Sequence, residues 1–362
     1  MRIEKITLIH LKVPLKRPFL SANGSVREKE FLLLKASSGN SVGWGEASPE
    51  TVSFEELMLD YKRNLVPFAL QMPFDAIDDF SHSLSVMKAS PEARAGLEMA
   101  AGNLLSEHGN VASSEGAQSQ EMRWIPIGRI LETGEESEIA LSLKSAVAAG
   151  QAPVVLRVNP GNIQTVVALL RTYGERIPIV LDAEGSFSGK NAESLRQLSG
   201  LPVQLLIDPL QGEQWDDIRP LKADWKIPIA VKNICTDILE VERICKSSFI
   251  DAVCIDPWRA GGPMTAARYL TVASENEKPA YIFSQLHLDI GTAETLILLS
   301  SYTRNQPIFT TIPEEIFGIK SVSDSVLHFK DNFARLPAAS YIHFNGIENQ
   351  FDRFRITEEE YW

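Results

Sequence analysis

Residues 203–233, VQLLIDPLQGEQWDDIRPLKADWKIPIAVKN, hold two short apolar runs, each closing on a charged residue, with about twenty residues of mixed chain between them. The first run stops at Asp208 and the second at Lys232. Val203, Ile207, Ile227, Ile229 and Val231 give the runs the β-branched character of buried strands. Outward from this unit the pattern repeats. RWIPIGRI (123–130), APVVLRVN (152–159), IPIVLDAE (177–184), DAVCIDPW (251–258), PAYIFSQ (279–285) and PIFTTI (307–312) read as further strands. Stretches such as EIALSLKSAVAAG and IQTVVALLRTYGE lie between them with apolar residues at helical spacing. Eight strands in strict alternation with helices predict a parallel sheet closed into a TIM-like (β/α)7-8 barrel. An open doubly wound sheet is the competing architecture, and no Gly-rich phosphate turn follows the first strand.

The phase of the polar residues sharpens this. Arg157, Asp182, Asp208, Lys232 and Asp256 each end an apolar run, separated by 25, 26, 24 and 24 residues, so they share one rim. In a parallel barrel the C-terminal rim carries the functional groups. Asn159 and Glu184 lie two residues past Arg157 and Asp182, and the period of two predicts that they point the same way. Strand ends are also polar simply because solvent begins there; five in register with alternating sign point to a shared pocket.

The first 120 residues differ in texture. RIEKITLIHLKVPL (2–15) and EFLLLKASSGNSVGWGEA (30–47) read as strands, followed by amphipathic segments near 53–68, 74–87 and 91–108. These predict an N-terminal α+β capping domain over 1–120, with 313–362 packing back on it and 121–312 forming the barrel. The small polar stretch 108–122 suits a linker, and RITEEEYW (355–362) reads as loose chain.

With 362 residues, 44% hydrophobic and 23% charged, the chain has the composition of a globular protein, and its net charge of -12 argues against partners such as nucleic acid or anionic membrane. Cys235, Cys245 and Cys254 show no paired zinc-ligand spacing and suit free thiols in a reducing cytoplasm. The charge-broken start reads as neither signal peptide nor membrane span. Small-molecule chemistry is the expectation that remains.

The cap with GWGEASPE (43–50), the barrel, and VLDAEGSF (180–187) among regularly spaced charged strand ends resemble the enolase superfamily, in its muconate-lactonizing-enzyme branch, and most nearly the o-succinylbenzoate synthases and N-succinylamino acid racemases. The resemblance implies lyase or isomerase chemistry on a small carboxylate: an α-proton is removed by a lysine, and the enediolate is held on a divalent metal by carboxylates from three successive strands. In this sequence most of those positions are substituted. Arg157 and Asn159 stand where two lysines belong, Asp256 where a third lysine belongs, and Lys232 where the third metal carboxylate belongs. Asp182 and Asp208 keep the first two ligand positions. A guanidinium is always protonated and is no base.

An ammonium ~4 Å from a divalent ion is opposed by roughly 8 kcal/mol even at an effective dielectric of 20. No metal is therefore expected at the inherited site, with Lys232 bridging Asp182 and Asp208 as a compact cation. Mg2+ enters only if Asp182, Glu184, Asp208 and Asp256 form a displaced carboxylate site; clustered acids at a barrel mouth can equally be solvated. A neutral Lys232 acting as a base stays open. Ser21 and Asn23, in the stretch 17–28 that matches the family's loop over the mouth, and Ser284 and His287, at and past the seventh strand, are candidate substrate contacts, though a lone loop histidine is often neither ligand nor relay. Gly261 and Gly262 either support an anion or turn the chain. Two functions follow: a diverged o-succinylbenzoate synthase-like enzyme whose ancestral metal-dependent activity is lost or altered, or a non-catalytic relative binding a small ligand or a protein partner. A homo-oligomer is compatible with both.

Overall fold

The computed structural model describes residues 1–21, 24–109, 123–131, 136–150, 153–210, 218–224, 226–299, 302, 306–319, 327–330, 332–336 and 347–362. Strands β1 (Lys5–Ser21), β2 (Gly24–Ser38) and β3 (Ser41–Ala47) open the chain. The barrel strands are β4 (Arg123–Ile130), β5 (Val154–Arg157), β6 (Ile179–Asp182), β7 (Val203–Ile207), β8 (Ile229–Val231), β9 (Ala252–Ile255), β10 (Ala280–Ser284) and β11 (Ile308–Thr310). The tail adds β12 (His328–Lys330), β13 (Phe333–Leu336) and β14 (Arg355–Tyr361).

Strands β4 to β11 pair in parallel in chain order, and β11 pairs with β4 through Ile308↔Ile127 and Thr310↔Arg129, closing the barrel. The short runs are buried along their whole length in β5, β6, β8 and β9, as expected of parallel strands covered on both faces. Most connections are α-helical, such as Ile163–Tyr173, Ile238–Cys245 and Pro263–Glu275; a 3₁₀ segment, Gly189–Leu198, serves after β6. Asp237 caps the helix Ile238–Cys245, its Oδ1 accepting the Leu239 and Glu240 N–H groups at 2.9 Å.

The cap sheet runs β14-β1-β2-β3, antiparallel, with the helix Pro91–Glu107 packed on β3. Side chains alternate between two cores. Phe31 and Leu33 join the barrel cluster, whereas Leu32 and Leu34 join the cap cluster. The run FLLL is continuous because its strand is buried on both faces. Gly43 and Gly45 let the helix approach: a Cβ on Gly45 would lie 2.0 Å from the Gly96 carbonyl oxygen.

The tail divides. The stretch 355–362, read from sequence as loose, is the edge strand β14, in register Ile6↔Tyr361 to His10↔Thr357 along β1, with Lys5 on Glu360 at 2.6 Å and Lys62 on Glu359 at 2.8 Å. Its acidic run satisfies lysines of the cap, which the sequence pattern alone did not reveal. Strands β12 and β13 instead extend β4 on the barrel side through Phe333↔Pro126 and Arg335↔Trp124. Residues 340–346 lie outside the described residues, and Ile347–Phe351 is a helical turn. The linker reading likewise falls outside them from 110 to 122. Among the described residues no helix is long and apolar enough to cross a membrane.

Candidate functional site

The ends of β5 and β8 bring two cationic side chains onto one carboxylate oxygen at the end of β6. Arg157 Nη1 donates to Asp182 Oδ2 at 2.5 Å, and Lys232 Nζ donates to the same oxygen at 2.6 Å. Asp182 is 0% exposed, Lys232 3% and Arg157 5%. The register Arg157↔Asp182 sets the first pair side by side on neighbouring strands. Arg157 also meets Glu184 at 2.6 Å and donates from Nη2 to Gln285 across the mouth. The Lys232 ammonium lies 4.0 Å from the centroid of Phe283, and the Arg157 guanidinium 5.9 Å from both Phe283 and Phe19, a residue of the cap. Burial would raise the Asp182 carboxyl, but the Lys232 ammonium and the Arg157 guanidinium outweigh it and hold it below the ordinary carboxylate range.

Asp208 is held differently from the expected bridge. Its two oxygens accept the backbone N–H groups of Lys232 (2.8 Å) and Asn233 (3.0 Å), while the ammonium is aimed at Asp182. Burial pushes Asp208 up to about 6 despite the nearby ammonium. Asp256 starts the short helix Pro257–Ala260, its Oδ1 accepting the Trp258 N–H at 2.9 Å; burial and then the Glu50 carboxylate push it up to about 6. Glu184 (φ 48°), Asp208 (φ 43°) and Leu286 (φ 56°) adopt left-handed backbone, each at a cost of about 1–3 kcal/mol. All three follow barrel strand ends, so local strain collects at the mouth.

Several sequence candidates lie elsewhere. Asn159 turns away: its Oδ1 accepts the N–H groups of Gly161 (2.8 Å) and Asn162 (3.0 Å), because β5 ends at Arg157 and the period of two lapses there. Ser284 alternates with Phe283 and Gln285, which meet the cations, so it faces the opposite side of β10 and is buried without a side-chain partner among the described residues. His287 is fully enclosed between cap and barrel, stacked 3.4 Å from Trp258 and 3.5 Å from Glu46 Oε1; burial, then Lys29, lowers its pKa well below the usual value. Ser21 ends β1, opposite Gly24, and Asn23 lies outside the described residues. The stretch 17–28 is mostly paired hairpin rather than open loop, and it carries Phe19 to the mouth. Gly261 (φ 96°) closes the short helix, and Gly262 (φ 141°) leaves room for Glu98, whose Oε1 a Cβ would approach to 2.2 Å.

Sequence reasoning missed Gln285, Phe283 and Phe19. It also missed Glu46, which accepts the N–H groups of Leu288 (2.8 Å) and Gly291 (3.0 Å) and ties the cap to a barrel helix. Gln285 carried a signal, being the polar residue that ends the seventh apolar run; Phe19 and Glu46 carried none that was local.

The Mg2+ that the family resemblance implies does not fit this donor set. A carboxylate-bound Mg2+ needs its oxygen at about 2.0–2.1 Å with octahedral space around it, and the Lys232 ammonium occupies that approach to Asp182. Nor do Asp182, Glu184, Asp208 and Asp256 converge: Glu184 turns to Arg157, Asp208 to backbone N–H groups, and Asp256 to its helix. Among the described residues no three His, Cys, Asp or Glu side chains form a metal-holding group.

A family model described as enolase C-terminal domain-like matches residues 139–340. The o-succinylbenzoate synthase of Bacillus subtilis (strain 168) is 25% identical over 309 residues, 83% of this chain and 82% of its own. The N-succinylamino acid racemase of Amycolatopsis sp is 22% identical over 313 residues, 83% of each chain. In fold, an enolase superfamily protein from Listeria innocua Clip11262 superposes with a TM-score of 0.86 at 17% identity over 99% of both chains. This chain belongs to the enolase superfamily, and the o-succinylbenzoate synthases and N-succinylamino acid racemases are among the relatives it is similar to.

Proposed function

We propose that this chain is a diverged o-succinylbenzoate synthase-like protein that takes a small carboxylate at the barrel mouth, with the ancestral metal-held α-proton chemistry lost or altered. The relatives' names supply the substrate class. The observation that carries the divergence is the Lys232 ammonium 2.6 Å from Asp182 Oδ2, a cation built into the chain where the family resemblance puts a metal. Arg157 is permanently charged and Asn159 faces its own turn, so neither supplies a base. Asp256 and Asp208 are both pushed up to about 6, toward accepting a proton near neutrality, and of the two Asp256 stands where the family resemblance puts a lysine base. Three buried free thiols agree with a cytoplasmic setting.

The test is α-proton exchange in D2O, with magnesium or manganese present, across N-acylamino acids and the synthase substrate. The expected result is no metal-dependent exchange; metal-dependent exchange lost in Asp182→Asn overturns the proposal. Metal-independent exchange lost in Asp256→Asn identifies rearranged chemistry. A second reading, a non-catalytic binding protein, is favoured by the way Asp208 and Asp256 are engaged with backbone N–H groups, and it predicts no exchange under any condition.

A further inference from the structure

We propose that Lys232 Nζ is a carbonyl-condensing amine whose ligand is a small 2-oxo acid, bound through its carboxylate to Arg157 Nε. The proposal rests on the reading that an ammonium, not a metal, is the cation beside Asp182. Two observations carry it. Arg157 uses Nη1 and Nη2 on Asp182, Glu184 and Gln285, yet its Nε is buried without a partner among the described residues. A buried unpaired donor of a charged group is costly, and a ligand oxygen removes that cost. Second, Arg157 Nη1 and Lys232 Nζ both donate to Asp182 Oδ2, at 2.5 and 2.6 Å, so those two nitrogens lie within about 5 Å of each other, and Nε is the neighbouring nitrogen of the same guanidinium. A 2-oxo acid carries its carboxylate and its carbonyl on adjacent carbons and spans that gap.

The step balances without any outside reagent. Lys232 Nζ passes one proton to Asp182 Oδ2 and adds its freed electron pair to the carbonyl carbon, while the carbonyl π pair moves to oxygen. A second nitrogen proton moves to that oxygen, giving a neutral carbinolamine. The proton held on Asp182 then goes to the hydroxyl, which leaves as water as the nitrogen pair closes the C=N bond. Ammonium plus carbonyl gives a protonated imine plus one water, with no change in charge or oxidation state. The rings of Phe283 and Phe19 wall the cations, and a site poor in water favours the dehydration. A protonated imine acidifies the adjacent C–H, which keeps the site within α-proton chemistry.

The full chain is incubated separately with pyruvate, phenylpyruvate and 2-oxoglutarate, with and without sodium borohydride, and mapped by peptide mass spectrometry. The expected result is one borohydride-dependent adduct on Lys232 with at least one acid, absent in Lys232→Arg and weakened about tenfold in Arg157→Met, the weight of one charge-assisted hydrogen bond. No adduct with any of the three, or adducts confined to other lysines, overturns the proposal; the wild-type map alone decides this if a variant does not fold. A magnesium melting series run in parallel separates the two claims. Absent adduct with magnesium-insensitive melting removes the imine alone, whereas magnesium stabilisation lost in Asp182→Asn removes the metal-free reading as well.

Discussion

Arg157 and Lys232, which come from strands on either side of β6, share one oxygen of Asp182 between them. A carboxylate with no measurable exposure is thereby held between two cations that are themselves enclosed, and each member of the triad depends on the others. Replacing one member leaves the others buried and unbalanced, which costs more than the net worth of the interaction.

Lys232→Met is accordingly expected to destabilise the fold by about 3–5 kcal/mol, because the buried Asp182 and Asp208 then repel each other without the ammonium that offsets both, leaving Arg157 as the cation on Asp182. Adding Asp182→Asn to Lys232→Met should recover part of that loss. Urea unfolding of the two variants and the wild type measures both; strict additivity of the two substitutions would contradict the coupling.

The cap meets the barrel through buried carboxylates. Glu98 accepts the Met264 N–H at 2.7 Å and the Ser81 hydroxyl at 2.5 Å, Glu46 accepts two N–H groups, and Glu294 faces Asn103. Burial pushes each up to about 7 from an ordinary 4.5. A carboxyl with a raised folded pKa holds its proton more tightly folded than unfolded, so its contribution is complete below about 4.5 and is lost as pH rises through about 7. Unfolding free energy should therefore fall between pH 5 and pH 7 by this route. Glu294→Gln should flatten that fall; an unchanged slope would contradict the assignment.

Gly45→Ala is expected to destabilise the cap by about 1–3 kcal/mol or more, since backbone rather than a movable side chain blocks the new methyl. Gly39→Ala, with nothing within 4 Å but a φ of 56°, should cost only the backbone strain, about 1 kcal/mol. Thermal melting of the two variants ranks them.

We propose that residues 1–120 do not fold without the tail, because β14 pairs along β1 and covers its outer edge. Chains ending at residue 354 should aggregate or lose the cooperative transition in light scattering and circular dichroism. A soluble, cooperatively folding fragment of residues 1–120 would contradict this.

The mouth residues were legible because parallel strands repeat, and a repeat of about 25 residues carries each run to the same rim: Arg157, Asp182, Asp208, Lys232 and Asp256 all lie at or next to strand ends as read. What the spacing could not convey was direction. Asn159 was placed by alternation beyond the point where its strand ends, and Asp208 by charge, when backbone N–H groups claim it first. Contacts between distant segments left no local trace. Glu46 reaches Leu288 and Phe19 reaches Arg157 across the cap–barrel boundary, and the charged ending Arg355–Tyr361 has strand alternation only once β1 lies beside it. His287 read as a loop histidine because its stacking partner Trp258 belongs to a different βα unit.

The most direct measurement of the central claim, that the Lys232 ammonium holds the position of the metal, is magnesium titration of the purified full chain by isothermal calorimetry at neutral pH. The expected result is no saturable binding in the wild type. Stoichiometric magnesium binding that Asp182→Asn abolishes would contradict the account.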